Sequence, residues 1–269
     1  MRALSQPRNQ YVMKLSLLSN STAVILAAGV GRRLGAGHGG PKALLEFAGR
    51  TLLERHLANL RASGVRRIAL TVGFEAETLR SAIQRLGPDA EVSLVENPRY
   101  RNGSLVSLQV QGELLRSGGE VLLMDADVLC DARLIARLGQ GAAENTLLVD
   151  RRIEPGDEPV KLCFRRQADG RERIVDFRKR PEHAHDWHGE SVGFFRFSAA
   201  TAAELADRCD AYVAAGRLDV EYEEAIRELM LAEPYRFGAV DVSDLPWTEI
   251  DFEADVARAR SEILPQLAP

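Results

Sequence analysis

The sequence predicts an α/β fold with a mainly parallel sheet, and three observations carry that prediction. Short apolar runs alternate with segments whose apolar residues recur at three- and four-residue spacing. Two of those amphipathic segments end in glycine, the usual helix stop. The first apolar run, TAVILAA from Thr22, passes directly into the glycine-rich stretch GVGRRLG. Runs of this kind, apolar without alternation, suit a sheet buried on both faces, and their alternation with helices gives βαβ units.

In order, the strands are TAVILAA, RRIALTVG, EVSLVEN and EVLLMDAD, separated by helices GRTLLERHLANLRASG, AETLRSAIQRLG and GSLVSLQVQGELLRSG. After Asp127 a helix, ARLIARLGQ, precedes the strands NTLLVDRR, PVKLCFRR, RIVDFRK and ESVGFFRFS, a run that predicts a small antiparallel extension. Two helices follow, AATAAELADRCDAYVAAG and EYEEAIRELMLA, then strands GAVDVS and WTEIDF and a closing helix EADVARARSEIL. Residues 1–21 read as a polar leader and 22–269 as one domain, a size that buries a substantial core. The polar block Ser19–Thr22 interrupts the apolar run near Met13, so neither a signal peptide nor a membrane span is expected.

Composition narrows the function. A net charge of −4 with both signs interspersed offers no basic footprint, which excludes nucleic acid as an expected partner. Three widely spaced cysteines, Cys130, Cys163 and Cys209, fit neither a disulfide framework nor a zinc site, and a reducing cytoplasm is expected. The histidines of HAHDWH, His183, His185 and His188, match no zinc spacing and read as a solvated loop.

At the carboxyl end of a parallel strand, a glycine turn lets backbone N–H groups approach phosphates, which makes Gly29 and Gly31 candidate contacts. Two common phosphate motifs fail here: the dinucleotide fingerprint has Leu34 where its third glycine should be, and the P-loop's Gly-Lys-Ser/Thr is replaced by Gly40-Pro41-Lys42-Ala43. A dinucleotide-dependent reductase would also place an acid about twenty residues on, at a second strand end, where this chain has a helix. Farther along, Asp125 and Asp127 stand two apart in VLLMDADVL, and Glu249 and Asp251 stand two apart in WTEIDF. Spacing of two puts each pair on one side of a continuing strand, and carboxylate oxygens are hard donors suited to Mg²⁺. A lone Asp-x-Asp is more often a cap or turn; its coincidence with the glycine motif favours a site.

LAAGVGRRLG followed by PKALLEFAGRTLLERHL resembles the signature of the nucleotidyltransferases that join a nucleoside triphosphate to a phosphorylated sugar or alcohol and release pyrophosphate. The resemblance implies a three-layer, Rossmann-like nucleotidyltransferase fold. It also implies that Leu26, Ala27, Ala28, Gly29 and Gly31 hold base and triphosphate, that Arg32 or Arg33 and Lys42 are catalytic cations, and that Asp127 and Asp251, with Asp125 and Glu249 beside them, bind Mg²⁺. ENPRYRNGSLVSLQ, EPVKL, GESVGFFRFS, YEEAI and WTEIDFEADVARA look most like the CTP-dependent enzymes that make CDP-alcohols, phosphocholine and inositol-phosphate types. That narrower resemblance implies nucleotide contacts from Asn102, Gly103, Ser104 and Asp125, and a lysine, Lys161, directed at phosphates.

For the acceptor, a quaternary ammonium calls for aromatic faces near a carboxylate, whereas a polyol calls for hydrogen-bonding groups. Tyr222, Trp247 and Trp187 supply candidate rings, Glu190 and Glu221 candidate charges, and Lys179 a further cation. The expected partners are CTP and a small phosphorylated alcohol, with phosphocholine ahead of inositol 1-phosphate, aminoethylphosphonate or a sugar 1-phosphate as alternatives, and a homodimer possible. A non-catalytic nucleotide sensor is the rival of another class, and it would be expected to lose Lys42 or an acidic pair.

Overall fold

The computed structural model describes residues 18–35, 39–87, 91–153 and 158–267. Most of the expected leader and part of the GAGHGGP stretch lie outside these residues. Ahead of residue 22, Leu18 is buried against Gly139, and the Ser21 hydroxyl donates to Glu120.

β1 (Thr22–Leu26) runs through the middle of a nine-stranded sheet. Its neighbours β4 (Arg67–Val72) and β6 (Val121–Asp125) are both parallel to it, and β5 (Glu91–Glu96) adds a fourth parallel strand beyond β4. Successive β1 side chains serve opposite cores. Ala23 and Ile25 pack with Leu53, Leu57 and Leu60 of α1 (Leu52–Ala62), with Leu79 of α2 (Ala76–Arg85) and with Leu134 and Leu138 of α5 (Arg133–Gln140). Val24 packs on the other face with Leu105 of α3 (Ser104–Gln109), Leu115 of α4 (Gly112–Leu115), Leu205 of α6 (Ala199–Ala214) and Ile226 of α7 (Tyr222–Ala232). Strands apolar on both faces are thus sandwiched between helical layers, the three-layer fold that the family resemblance implies.

The antiparallel extension is also present. β11 (Trp187–Phe197) pairs antiparallel with β6, with β8 (Asn145–Asp150) and with β9 (Lys161–Arg166), and β10 (Glu172–Arg178) completes that edge. β12 (Phe237–Asp241) runs parallel to β8. Apart from the large sheet, β7 (Val128–Cys130) and β13 (Trp247–Glu249) form a two-stranded pair, which α8 (Glu253–Arg258) follows.

Two local expectations change. The segment from Gly49 is not wholly helical: β2 (Glu46–Phe47) and β3 (Arg50–Thr51) make a hairpin first, turning through Ala48 and Gly49, both at positive φ as a two-residue hairpin requires. Helix α1 then starts at Thr51, whose hydroxyl accepts from the Glu54 N–H while its own N–H donates to the Glu54 carboxylate. The predicted single helix over 103–118 is two, α3 and α4, broken where the buried Gln111 reaches across to donate to the Thr71 hydroxyl at 2.8 Å. The three cysteines are buried and free, and burial pushes each thiol up to about 12. No helix among the described residues is long and apolar enough to cross a membrane.

Candidate active site

A cleft of about 280 Å³ opens at the carboxyl ends of β1 and β6, where an open parallel sheet places its ligands. Leu26, Ala28 and Gly29 form one side, while Ala27 is buried behind them and donates its N–H to the Thr71 carbonyl at 2.9 Å. Gly31 takes the left-handed conformation, and a Cβ there would lie 3.0 Å from Lys42 Cγ. Glycine thereby lets the lysine stem cross the loop. The single turn Arg32–Leu34 drops Leu34 into the core and sends the next-door arginines different ways: Arg33 lines the cleft, whereas Arg32 is exposed and does not. Of the two candidate catalytic arginines, the geometry brings only Arg33 to the site.

Pro41 is extended and Lys42 opens a second tight turn, anchored by the buried Ala43. That turn aims the ammonium at the acidic pairs. Lys42 Nζ donates to Asp127 Oδ2 at 2.8 Å and to Asp251 Oδ1 at 2.6 Å. Arg33 donates to the other Asp251 oxygen at 2.7 Å and to Glu158 at 2.6 Å, and Lys179 reaches the same Glu158 oxygen at 3.2 Å. Burial works to lower the proton affinity of Lys42, but the two aspartates outweigh it and hold the ammonium charged above its ordinary range.

Asp127, Glu249 and Asp251 each bring a carboxylate oxygen within 4.8 Å of the others. Neither pair sits on a continuous strand as its spacing suggests. β6 ends at Asp125 and β13 at Glu249; Asp127 stands in the turn before β7, Asp251 just beyond β13, and the Ile250 N–H donates to the Asp127 carbonyl at 3.0 Å to join the two turns. Three hard oxygen donors fit a magnesium ion in chemistry and number. Desolvation and the neighbouring Asp127 and Asp251 carboxylates raise the proton affinity of Glu249; because Glu249 is exposed as a residue, mutual repulsion is the firmer cause.

Asp125 stands apart from that group. It lines the cleft, but its Oδ2 accepts from the buried Tyr222 hydroxyl at 2.6 Å. A Cβ on Gly193 would come within 2.2 Å of the same oxygen, so Gly193 is the recess that admits it. Burial, Asp127 and Glu223 push this carboxyl well above the usual carboxylate range, against the Tyr222 hydrogen bond.

Asn102 and Ser104 line the opposite wall. Asn102 donates to Asp219 at 3.0 Å, and both the N–H and the hydroxyl of Ser104 donate to Glu221. Gly103 lies behind them: its N–H donates to the Leu218 carbonyl, and a Cβ would meet the Val220 carbonyl oxygen at 2.2 Å. Glu221 and Tyr222 therefore border the cleft as expected, but Lys161, Glu190 and Trp247 do not. Lys161 spends its ammonium on the Pro159 and Lys179 carbonyls, at 3.3 and 3.0 Å. Glu190 stands opposite Asp150 in the β11–β8 ladder and opposite Lys161 in the β11–β9 ladder, and burial together with Asp150 pushes its carboxyl up to about 7. Trp247 is buried and donates to Asp150 at 2.8 Å. Trp187 stacks on Phe164 at 4.0 Å and carries Arg151 on its other side, away from the cleft. The HAHDWH segment holds no metal-competent group among the described residues. His183 bonds Asp176, and the half-buried His185 and His188 bond each other at 3.0 Å, so only His183 fits the solvated reading.

Tyr100, Ser107, Glu158, Ser191, Gly193 and Glu223 also line the cleft and escaped sequence reasoning. Gly193 alone had a signal, since a glycine inside a strand pattern marks a close approach.

Residues 23–184 match the family described as the MobA-like NTP transferase domain. The CMP-5'-(3-aminopropyl)phosphonate synthase of Streptomyces rubellomurinus is 28% identical over 258 residues, covering 90% of this chain and 39% of that protein. The bifunctional IPC transferase and DIPP synthase of Rubrobacter xylanophilus is 28% identical over 246 residues, covering 90% of this chain and 52% of that one. The chain thus spans about half or less of the length of these curated relatives. Among solved structures, the inositol-1-phosphate CTP transferase from T. maritima shares the fold at a TM-score of 0.72 and 21% identity, over 93% of this chain and 99% of that one. The CTP:phosphocholine cytidylyltransferase from Streptococcus pneumoniae does so at 0.68 and 20%, over 90% and 98%. With the glycine turn, Lys42 and the three clustered carboxylates at the strand ends, and with the family match covering more than half of its length, this chain belongs to the MobA-like NTP transferase domain family.

Proposed function

We propose that the domain is a cytidylyltransferase, transferring the CMP group of CTP to the phosphoryl or phosphonyl oxygen of a small acceptor and releasing pyrophosphate. The observation that carries the reading is Lys42, held between Asp127 and Asp251 at the floor of a cleft where three carboxylate oxygens converge. CTP as donor and a phosphate acceptor are supported by the names of both structural neighbours, and a phosphonate acceptor by that of the Streptomyces rubellomurinus relative.

Displacement at the α-phosphorus spreads negative charge over the phosphoryl oxygens, so catalysis is mainly positioning and cationic stabilisation. The ammonium of Lys42 and the guanidinium of Arg33 supply that charge once the triphosphate draws them from their carboxylate partners. Asp127, Glu249 and Asp251 are the residues that would hold Mg²⁺, which when bound neutralises phosphate charge. An acceptor oxygen attacks in line, the bond to the β-phosphate oxygen breaks, and its electrons leave with pyrophosphate. A phosphate acceptor is already anionic near neutral pH, its second pKa being about 6, so no protein base is required. Ser104, Asn102 and Leu26 frame the nucleotide side of the cleft. A nucleotide sensor would need neither Lys42 nor the three carboxylates, and this chain keeps them together.

The test is pyrophosphate release with Mg²⁺, crossing CTP, UTP, GTP and ATP with phosphocholine, inositol 1-phosphate, aminoalkylphosphonates and sugar 1-phosphates. Release confined to CTP and one class of acceptor is the expected result. Release with another nucleotide, or none in protein that binds CTP, overturns the assignment.

A further inference from the structure

A second cavity of about 570 Å³ adjoins the first cleft, and Glu158, Val160, Lys179, Glu221 and Glu223 line both. Most of its charges are already matched. Arg178 donates to Glu224 at 2.6 and 2.9 Å and pairs with Glu182; Glu158 accepts from Arg33 and Lys179; Glu221 accepts from Ser104. Glu223 is different: its Oε2 is buried without a hydrogen-bond partner. A carboxylate oxygen withdrawn from water and left unpaired is costly, and the cost falls away when a cationic donor meets it. Burial accordingly pushes the Glu223 carboxyl up to about 7, with Lys179 acting in the opposite sense.

Lys179 stands at the end of β10, where Lys161 fixes it by donating to its carbonyl at 3.0 Å. Its own ammonium is half-exposed and paired with Glu158. Lys161 thus positions the backbone, and Lys179 is the lysine that borders both cavities.

We propose that the second cavity receives the acceptor, with Lys179 binding its phosphoryl or phosphonyl group at the shared wall and Glu223 binding an N–H-bearing ammonium at the other end of a short molecule. This rests on the nucleotidyl-transfer reading above. One small acceptor can meet both groups because Lys179 and Glu223 line the same two cavities. An ammonium with N–H donors fits Glu223 in both charge and hydrogen bonding. A quaternary ammonium would want aromatic faces, and among the described residues the one ring lining this cavity is Phe177, which is fully buried. A polyol would fill the oxygen's hydrogen bond and leave its charge unmatched. Because Glu223 lines both cavities while Oε2 is turned into the wall, binding draws the carboxylate out by rotation about its soft terminal torsion.

Calorimetry of the protein with Mg²⁺ and the non-transferring α,β-methylene analogue of CTP tests this without turnover. Three probes are compared: 2-aminoethylphosphonate, its N,N,N-trimethyl counterpart and ethylphosphonate. The first should bind at least about tenfold tighter than either other, the scale of one charged hydrogen bond. Glu223→Gln should reduce it to the level of ethylphosphonate and leave ethylphosphonate binding unchanged, which also shows that the variant is folded; Glu223→Asp should restore part of the preference. Lys179→Met should weaken all three alike. Equal affinities in the wild type, no binding by any probe, or an unchanged preference in Glu223→Gln each overturn the proposal. Failure of pyrophosphate release with every nucleotide and acceptor would instead strike at nucleotidyl transfer itself, while the calorimetric ranking still decides what the cavity binds.

Discussion

The two halves of the sheet solve different problems with different materials. The parallel half is buried on both faces by aliphatic side chains along β1, β4 and β6, with β5 as its half-buried edge, and its chemistry comes from where the central strands stop: Gly29 after β1, Asp125 and Asp127 at the end of β6. The antiparallel half, β8 to β11, carries charge into its interior. Asp176, with no exposed surface, accepts from the Arg227 guanidinium and from the backbone N–H groups of Glu182 and His183; Asp150 accepts from Trp247; and Arg196 donates to the carbonyls of residues 139, 141 and 143. Apolar packing tolerates exchange of one aliphatic residue for another, while a satisfied ionic network fixes one arrangement. On the proposed function, the packed strand ends would carry the chemistry on phosphates, while the ionic network of the other half holds the strand that leads into Lys179.

The largest effect that would break this division is in the parallel half. Lys42→Ala should lower turnover by on the order of a thousandfold, the scale of losing one preorganised charge at a phosphoryl centre, with circular dichroism unchanged. Retention of more than a tenth of wild-type turnover would move the catalytic cation elsewhere. Next come Asp127→Asn and Asp251→Asn, each expected to raise the Mg²⁺ concentration for half-maximal rate by about tenfold or more, roughly 1.4 kcal/mol of binding. The comparison sharpens if Asp176→Asn, in the other half, leaves that concentration where it was.

Legibility follows the same division. The strand–glycine–Lys42 stretch and the placing of both acidic pairs at strand ends could be read because contiguous apolar runs and short spacings are local properties of the chain, but spacing alone also grouped Asp125 with the metal ligands, whereas it accepts from Tyr222. The acceptor side could not, since its residues meet only through tertiary pairing. Lys161 resembles a phosphate ligand in sequence, yet strand pairing turns its ammonium to two carbonyls and leaves Lys179 at the cavity. Trp247 offers a ring and is consumed by Asp150, and nothing local distinguishes Arg32 from Arg33, although one tight turn brings only Arg33 to the cleft. The Ala48–Gly49 hairpin was invisible because alanine carries no turn signal at the position that takes positive φ.

Gly193→Ala probes the seam where the halves meet, since β11 pairs with β6 there. Gly193 has φ of +77°, and its new Cβ would sit 2.2 Å from Asp125 Oδ2. Strain of this kind costs about 1–3 kcal/mol, and relief requires Asp125 to leave Tyr222. Denaturant unfolding should show the loss of stability, and turnover should fall with it. A variant as stable and as active as wild type would mean that the seam is pliable and that the Asp125–Tyr222 contact contributes little.

The smallest effect at neutral pH separates the halves by acid. Burial pushes His56, which is 1% exposed and stands edge-on to Phe194, down to about 4 from an ordinary 6.5. Between those values the unfolded chain takes up a proton that the native state refuses, so stability is complete above pH 6.5 and declines as pH falls towards 4, by at most about 3 kcal/mol. Asp176 is shifted in the other direction for a different reason: although its burial opposes ionisation, the Arg227, His183 and Glu182 donors hold it well below the ordinary carboxylate value of 3.8. Its contribution is present above that value and is lost as the solution becomes still more acidic. His56→Gln should therefore flatten the stability profile between pH 6.5 and 4 and leave the limb below it, while Asp176→Asn should do the reverse, with both variants unfolded by denaturant across the range. Two limbs removed independently would mean that the neutral buried imidazole and the buried ion pair contribute additively to stability; a single limb sensitive to both substitutions would mean that the two sites are energetically coupled across the fold.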